Sequence, residues 1–279
     1  MAGKINYTDV IYPVQADLHN HIQTGGRIKD GCFDKVIAAL CRKSIGMIGV
    51  INFDDDRYEQ LVNCKGSGRN DRGFYVRLYG GLTLIKGQEI PTKQGHLLAL
   101  GLKKNVHLKS GKTLEDTIAE AKDENAVIIA DHPMYFEGCG DYLMKNPKLL
   151  KKIDAIEVYN ATTSLGIPGT PLKSGTNKKA QEWFNSIKDE YPNLGCISSS
   201  DGHSLYEIGR NYITIDEKVK EHLLVKGIEP LREAIRGHRD FSNDKQGKIA
   251  GKIGAIEHYI KLAYYHGADK IIKRLEEKN

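Results

Sequence analysis

Apolar and polar positions along the 279-residue chain fall into short apolar runs separated by amphipathic segments. The first run, VQADLHNH, is followed by CFDKVIAALCRKS, in which Phe33, Val36, Ile37, Leu40 and Cys41 recur at helical spacing, and then by the apolar run IGMIGVINF. This order predicts strand, helix, strand. GGLTLIKGQEIPT, HLLALGL, AVIIADHP, the end of LLKKIDAIEVYNA and GCISSSDGHS read as further strands, with TLEDTIAEAKDEN and KKAQEWFNSIKDE as amphipathic helices among them. Such alternation predicts an α/β chain built on a mostly parallel sheet or closed barrel.

Two segments depart from the rhythm. Residues 54–77, containing CKGSGRNDRG, are polar and glycine-rich and read as a partly helical insert or a mobile loop. From about 249 to 279, Ile253, Ile256, Ile260, Leu262 and Ile271 keep helical spacing around Gly267, which predicts a helical extension. Packing of that extension on the barrel is the expectation, with dimerisation as its other use. The length suits one large barrel as readily as two smaller domains, and we expect a single domain.

Composition narrows the classes. The formal charge of +5, from 41 basic and 36 acidic residues, suits phosphate-bearing substrates but is too small to diagnose nucleic-acid binding. Cys32, Cys41, Cys64, Cys139 and Cys196 are scattered without paired spacing, so neither a zinc knuckle nor a disulfide framework is indicated and a reducing compartment fits. MAGKINYTDV lacks the apolar run of a signal peptide, and no segment approaches the ~18 to 20 apolar residues of a membrane span. A cytoplasmic location without a membrane partner is expected.

Ionisable residues gather at the ends of the apolar runs. In QADLHNHIQTGG, His19 and His21 are two apart, which points both rings to one face of an extended strand. Asp54 follows IGMIGVINF, Glu89 follows LTLIKGQ, His132 follows VIIAD, Glu157 lies in DAIEVYN, and Asp201 and His203 follow CISSS. In a parallel barrel those carboxyl ends share one rim. Imidazoles and carboxylates together suit zinc, manganese or iron, and a carboxylate such as Glu89 can bridge two ions. A single strand histidine pair is weak support for a metal; the full set carries the expectation.

The ordered pieces DLHNH, GQEIPTKQGHLLALG, DHP, IEVYN and SSDGHS resemble the PHP family, the polymerase and histidinol phosphatase domains. The resemblance runs through about Ile213 and implies a distorted seven-stranded (β/α) barrel of TIM-like form with two or three divalent ions. By that resemblance His19, His21, Glu89 and Asp201 surround one ion, Glu89 bridges to a second held by His132 and Glu157, and His203 belongs to a third position. The chain departs from the family around that third ion. NFDDD puts Phe53 and Asp54 where members carry aspartate and histidine, and TGG with KDG leaves Asp30 as the candidate acid. His96 reads as a supporting side chain and Asn160 as an orienting one.

The resemblance implies hydrolysis of a phosphate ester by a metal-activated water, with Glu89, Asp201 and His203 as catalytic candidates. A phosphorylated small molecule is the expected substrate, held by Arg210 and more weakly by Arg69, Arg72 and Lys173. An exonuclease or nucleotide phosphodiesterase is the alternative, and a non-catalytic module stabilised by metal is a third reading.

Overall fold

The computed structural model of the chain describes residues 13–22, 32–63, 69–71, 73–78, 81–165 and 175–246. Strand β1 (Pro13–Asp17) leads to α1 (Cys32–Arg42), β2 (Ile45–Asn52) and α2 (Arg57–Asn63). A short hairpin of β3 (Arg69–Asp71) and β4 (Tyr75–Leu78) precedes the long β5 (Thr83–Thr92), which turns directly into β6 (Gly95–Leu100). There follow α3 (Leu114–Asp123), β7 (Val127–Ala130), α4 (Gly140–Lys145), β8 (Ala155–Asn160), α5 (Thr176–Ile187) and β9 (Gly195–Ser199). The described chain ends with β10 (Asn211–Asp216), α6 (Lys218–Lys226), α7 (Glu229–Gly237) and β11 (Lys245–Gln246).

The strands hydrogen-bond in the order β11-β10-β1-β2-β5-β6-β7-β8-β9, with β3 and β4 branching from β5. β1, β2 and β5 run parallel, as do β7, β8 and β9; β6 and β10 run against their neighbours. The sheet nearly closes because the chain beyond β1 continues extended. Asn20 forms a parallel bridge to Gly202 beyond β9, and the same residue accepts from Ile51 N at 2.8 Å on its other side. The result is a distorted (β/α) TIM-like barrel. HLLALGL is a strand as expected, but it is an antiparallel hairpin partner of β5, because only Lys93 and Gln94 separate the two strands and Gly95 adopts a φ of 122°.

Among the described residues, three apolar clusters hold the layers. Leu18, Met47, Ile51, Ile85, Leu98 and Ile129 pack in the barrel with Leu231 and Ile235 of α7. A second cluster joins β6, β7 and β8 to α3 and α5 through Leu97, Ile128, Ile118 and Phe184, and a third joins β2 to α1 and α2. Each fully buried aliphatic side chain of this kind stabilises the fold by about 1.5–3 kcal/mol. The close approach of β1 and β2 requires Gly49, where an added Cβ would fall 2.0 Å from the Leu18 carbonyl oxygen.

Residues 54–77 contain a helix and a hairpin rather than structureless chain, and a buried ion pair ties the helix down. Lys86, on the outward face of β5, donates to Glu59 of α2 and to the carbonyls of Val106 (2.9 Å) and Lys103 (3.1 Å), while Asn52 Nδ2 donates to the other Glu59 oxygen at 2.8 Å. All three ammonium protons are thereby used, the condition for burying such a charge without a large penalty. The helical extension expected after 249 lies outside the described residues.

The segment after α7 folds back on β9. His238 Nδ1 donates to the Cys196 carbonyl at 2.9 Å, and its Nε2 pairs with Asp244 at 2.9 Å, whose second oxygen accepts from Ser198 Oγ at 2.6 Å. Burial acts to lower the His238 pKa, but the Asp244 bond and charge outweigh it and the net shift is upward. A pKa raised in the folded state gives stabilisation that is complete below the unfolded value near ~6.5 and is lost as pH rises through the folded value. Asp244→Asn is therefore expected to lower the melting temperature more at pH 6 than at pH 9; a deficit independent of pH contradicts this reading.

Candidate metal centre

The extension of β1 sets the first group. Asp201 N donates to the His19 carbonyl and His21 N to the Gly202 carbonyl, at 2.8 and 2.9 Å, so His19 and His21 project to the same side of this extended segment. Their Nε2 atoms approach to 3.3 Å, and Asp201 Oδ1 stands 3.6 Å from one and 3.5 Å from the other. Asp17 braces this corner from below, accepting from Ser200 N at 3.0 Å and Gly209 N at 2.7 Å. Burial pushes its pKa up to about 6, the hydrogen bonds opposing.

The hairpin of β5 and β6 sets the second group. Glu89 and Pro91 share one face of β5, and His96 lies opposite Pro91, so the register alone brings His96 to the Glu89 side. His96 Nδ1 is 2.7 Å from Glu89 Oε1, and His132 Nε2, beyond β7, is 2.9 Å from the same oxygen. The other oxygen, Oε2, lies 2.9 Å from His21 Nε2. One carboxylate thus faces His19, His21 and Asp201 with one oxygen, and His96 and His132 with the other.

These residues fit divalent ions. Ligand atoms ~2.1 Å from a common ion stand about 3.0–3.4 Å apart, close to the separations here. Two groups, His19 with His21 and Asp201, and Glu89 with His96, Asp131 and His132, each bring their donor atoms within 4.8 Å of one another. Both oxygens of Asp131 are buried without a hydrogen-bond partner, a costly arrangement that an ion would relieve. The electrostatics agree: burial acts to lower the His19 pKa, yet Asp201 and Glu157 raise it to about 10. The carboxylates demand positive charge at this point, whether a proton or a metal ion supplies it. Burial likewise acts to raise Glu89, but His96, His132 and His21 hold it well below the usual carboxylate range.

Glu157 stands behind both groups. Its Oε1 accepts from His19 Nδ1 at 3.1 Å and from Ser199 Oγ; its Oε2 accepts from His132 N at 2.7 Å and Asn160 Nδ2 at 2.9 Å. A proton on His19 Nδ1 leaves the Nε2 lone pair directed at the first group, the orienting arrangement found behind many metal-bound histidines. Asn160 also reaches Asp201 Oδ2 at 3.2 Å. Two of the gathered residues sit in strained backbone: His132 has φ 27° and Asp201 φ 49°, departures costing about 1–3 kcal/mol each that packed surroundings must hold.

The other expected residues are distributed as follows. His203 packs its ring 4.8 Å from that of His21, with Nδ1 2.8 Å from the Asp201 carbonyl oxygen. Asp54 is exposed and accepts from Ser110 Oγ at 2.7 Å, outside both groups, while the Phe53 ring stands edge-on to His21 and His96. Arg210 directs Nε to the Tyr206 carbonyl at 3.0 Å. Asp30, Arg72 and Lys173 lie outside the described residues, and Arg69 is described only as a backbone position in β3. Asp131 and the placement of His96 were not read from the sequence; the hairpin register and the acid before the histidine in DHP are the signals that carry them.

No protein-family model matches the chain, and no curated protein is significantly similar to it. Similar solved structures include a lesion-specific endonuclease from Pyrococcus furiosus, at 18% identity and TM-score 0.50, matched over 84% of this chain and 57% of that one. Endonuclease Q in complex with a 27-mer duplex bearing an abasic lesion at the active site matches at 17% identity and TM-score 0.53, over 84% and 58% of the two chains. PsfC from Pseudomonas syringae PB-5123 matches at 14% identity and TM-score 0.56, over 90% and 97%. The chain spans 57–58% of the endonuclease chains, and the likeness establishes the fold.

Glu89→Gln is expected to lower the metal bound per chain, measured by elemental analysis of the reconstituted protein. Glu157→Gln should retain the metal content with an affinity weaker by about 10–100-fold. Full occupancy with unchanged affinity in both folded variants contradicts these positions.

Proposed function

We propose that this rim, on a barrel of the PHP type, hydrolyses phosphoester bonds with two divalent ions, and that its substrate is a phosphodiester in a nucleic-acid strand. The observation that carries the hydrolytic reading is Glu89, whose two oxygens face two separate ligand groups in one buried site. Ions held there would lower the pKa of water and offset charge on the phosphate oxygens. His19, His21 and Asp201 are assigned to one ion, and His96, Asp131 and His132 to the other. Glu157 and Asn160 hold this set in orientation. To His203, whose side chain is 17% exposed at the edge of the group, we assign the exchange of a proton with the leaving oxygen.

The nucleic-acid assignment is supported by the two endonucleases that share the fold over 84% of the chain, one of them with a DNA duplex at its active site. The small-molecule phosphomonoester stands second. After reconstitution with manganese, zinc or iron, the protein is expected to hydrolyse bis-p-nitrophenyl phosphate and short single strands faster than p-nitrophenyl phosphate. Preference for the monoester would restore the small-molecule reading, and bound metal without turnover on any of them would favour a non-catalytic module. His203→Gln should lower turnover by about 10²–10⁴-fold with metal content retained; undiminished turnover removes the proton-transfer role.

A further inference from the structure

A cleft of about 330 Å³ opens beside the second ligand group, and His96 belongs to both. One wall is the turn between β5 and β6, with Lys93 and Gln94; the other is the segment from Phe136 through α4, with Glu137, Tyr142 and Lys145. The walls are joined at the base. His96 N donates to the Glu137 carbonyl at 2.7 Å, and Gly95 approaches Gly138 so closely that an added Cβ would fall 2.5 Å from its backbone.

Each wall is also fixed from outside. Gly111 N donates to the Pro91 carbonyl at 2.7 Å, Lys93 N to the Lys112 carbonyl at 2.9 Å, and Leu114 N to Gln94 Oε1 at 2.8 Å. Across the cleft, Gly140 N donates to the Pro133 carbonyl at 2.9 Å and Tyr142 Oη to Glu115 at 2.7 Å. The cleft is therefore preformed, a condition that removes much of the ordering cost of binding.

Its lining combines groups that seldom serve one simple ligand. Phe136 and Tyr142 line it with aromatic surface, the Gln94 amide nitrogen can hydrogen-bond, Glu137 and Asp141 contribute carboxylates suited to the amino groups of a base, and Lys93 and Lys145 are exposed cations. A base can use the aromatic surface and the polar groups, and a phosphate the ammonium groups. An unadorned sugar phosphate would leave the rings unused, and an apolar alcohol would leave the charges unused.

We propose that this cleft receives the nucleotide flanking the scissile phosphate, its base against Phe136 and Tyr142 and its outer phosphate between Lys93 and Lys145. The assignment rests on reading the rim as a phosphodiesterase centre and adds the side on which the strand lies. It makes Lys93 and Lys145 determinants of substrate choice.

The test compares the metal-loaded full chain with a Lys93→Glu/Lys145→Glu variant, and with Lys93→Ala/Lys145→Ala should the first fail to fold. The substrates are a single-stranded trinucleotide and bis-p-nitrophenyl phosphate. The ratio of kcat/KM for the trinucleotide to that for the small diester is expected to fall by about tenfold or more, through KM, which corresponds to about 1.4 kcal/mol. If the wild type cleaves both substrates and the ratio does not move in the folded variant, the cleft assignment is overturned alone. If the wild type cleaves neither, the phosphodiesterase reading is overturned and the cleft assignment with it.

Discussion

Glu89 holds the account together because a single buried carboxylate must face imidazoles delivered by three other parts of the barrel. Its oxygens approach His21 beyond β1, His96 on β6 and His132 beyond β7, at 2.7–2.9 Å. Buried carboxylates repel one another and lose hydration, and burial pushes the Asp131 pKa up to about 8 and raises that of Asp201, so Glu89, Asp131, Glu157 and Asp201 share this volume with part of their charge neutralised by protons or by cations among them. The imidazoles supply part of that positive charge as protons, and divalent ions would supply it without occupying the ring nitrogens with hydrogens.

Much of the barrel architecture exists to keep these donors in place. The Asn20 bridge to Gly202 nearly closes the sheet and also sets the directions of His19 and His21. The strained backbone at His132 and Asp201 marks the points where the chain leaves its strands to aim a side chain inward. Glu157 joins β8 to both ligand groups by bonding His19 through its side chain and His132 through its backbone. Catalytic assignments here therefore depend on the fold through particular hydrogen bonds.

The strand and helix order was legible because burial imposes period two or period 3.6 on the sequence: IGMIGVINF became β2 and KKAQEWFNSIKDE contains most of α5, while His19, His21, His132, Asp201 and His203 follow strand ends and Glu89 and Glu157 lie within β5 and β8. Less legible was direction. Nothing in the apolar pattern of HLLALGL distinguishes a parallel strand from a hairpin partner, and that distinction carries His96 into the ligand group. Asp131 was hidden for a related reason, since adjacent residues in DHP reach one site only through the sharp backbone turn at His132. Residues 54–77 showed their polarity but not their anchorage, because the Lys86 to Glu59 pair is a contact between distant segments.

The most direct test of the central claim is anomalous X-ray diffraction from crystals of the chain loaded with manganese or zinc. The account predicts two peaks, one among His19, His21 and Asp201 and the other among His96, Asp131 and His132, with the Glu89 carboxylate between them. A single peak, or a pair that does not share Glu89, would contradict it.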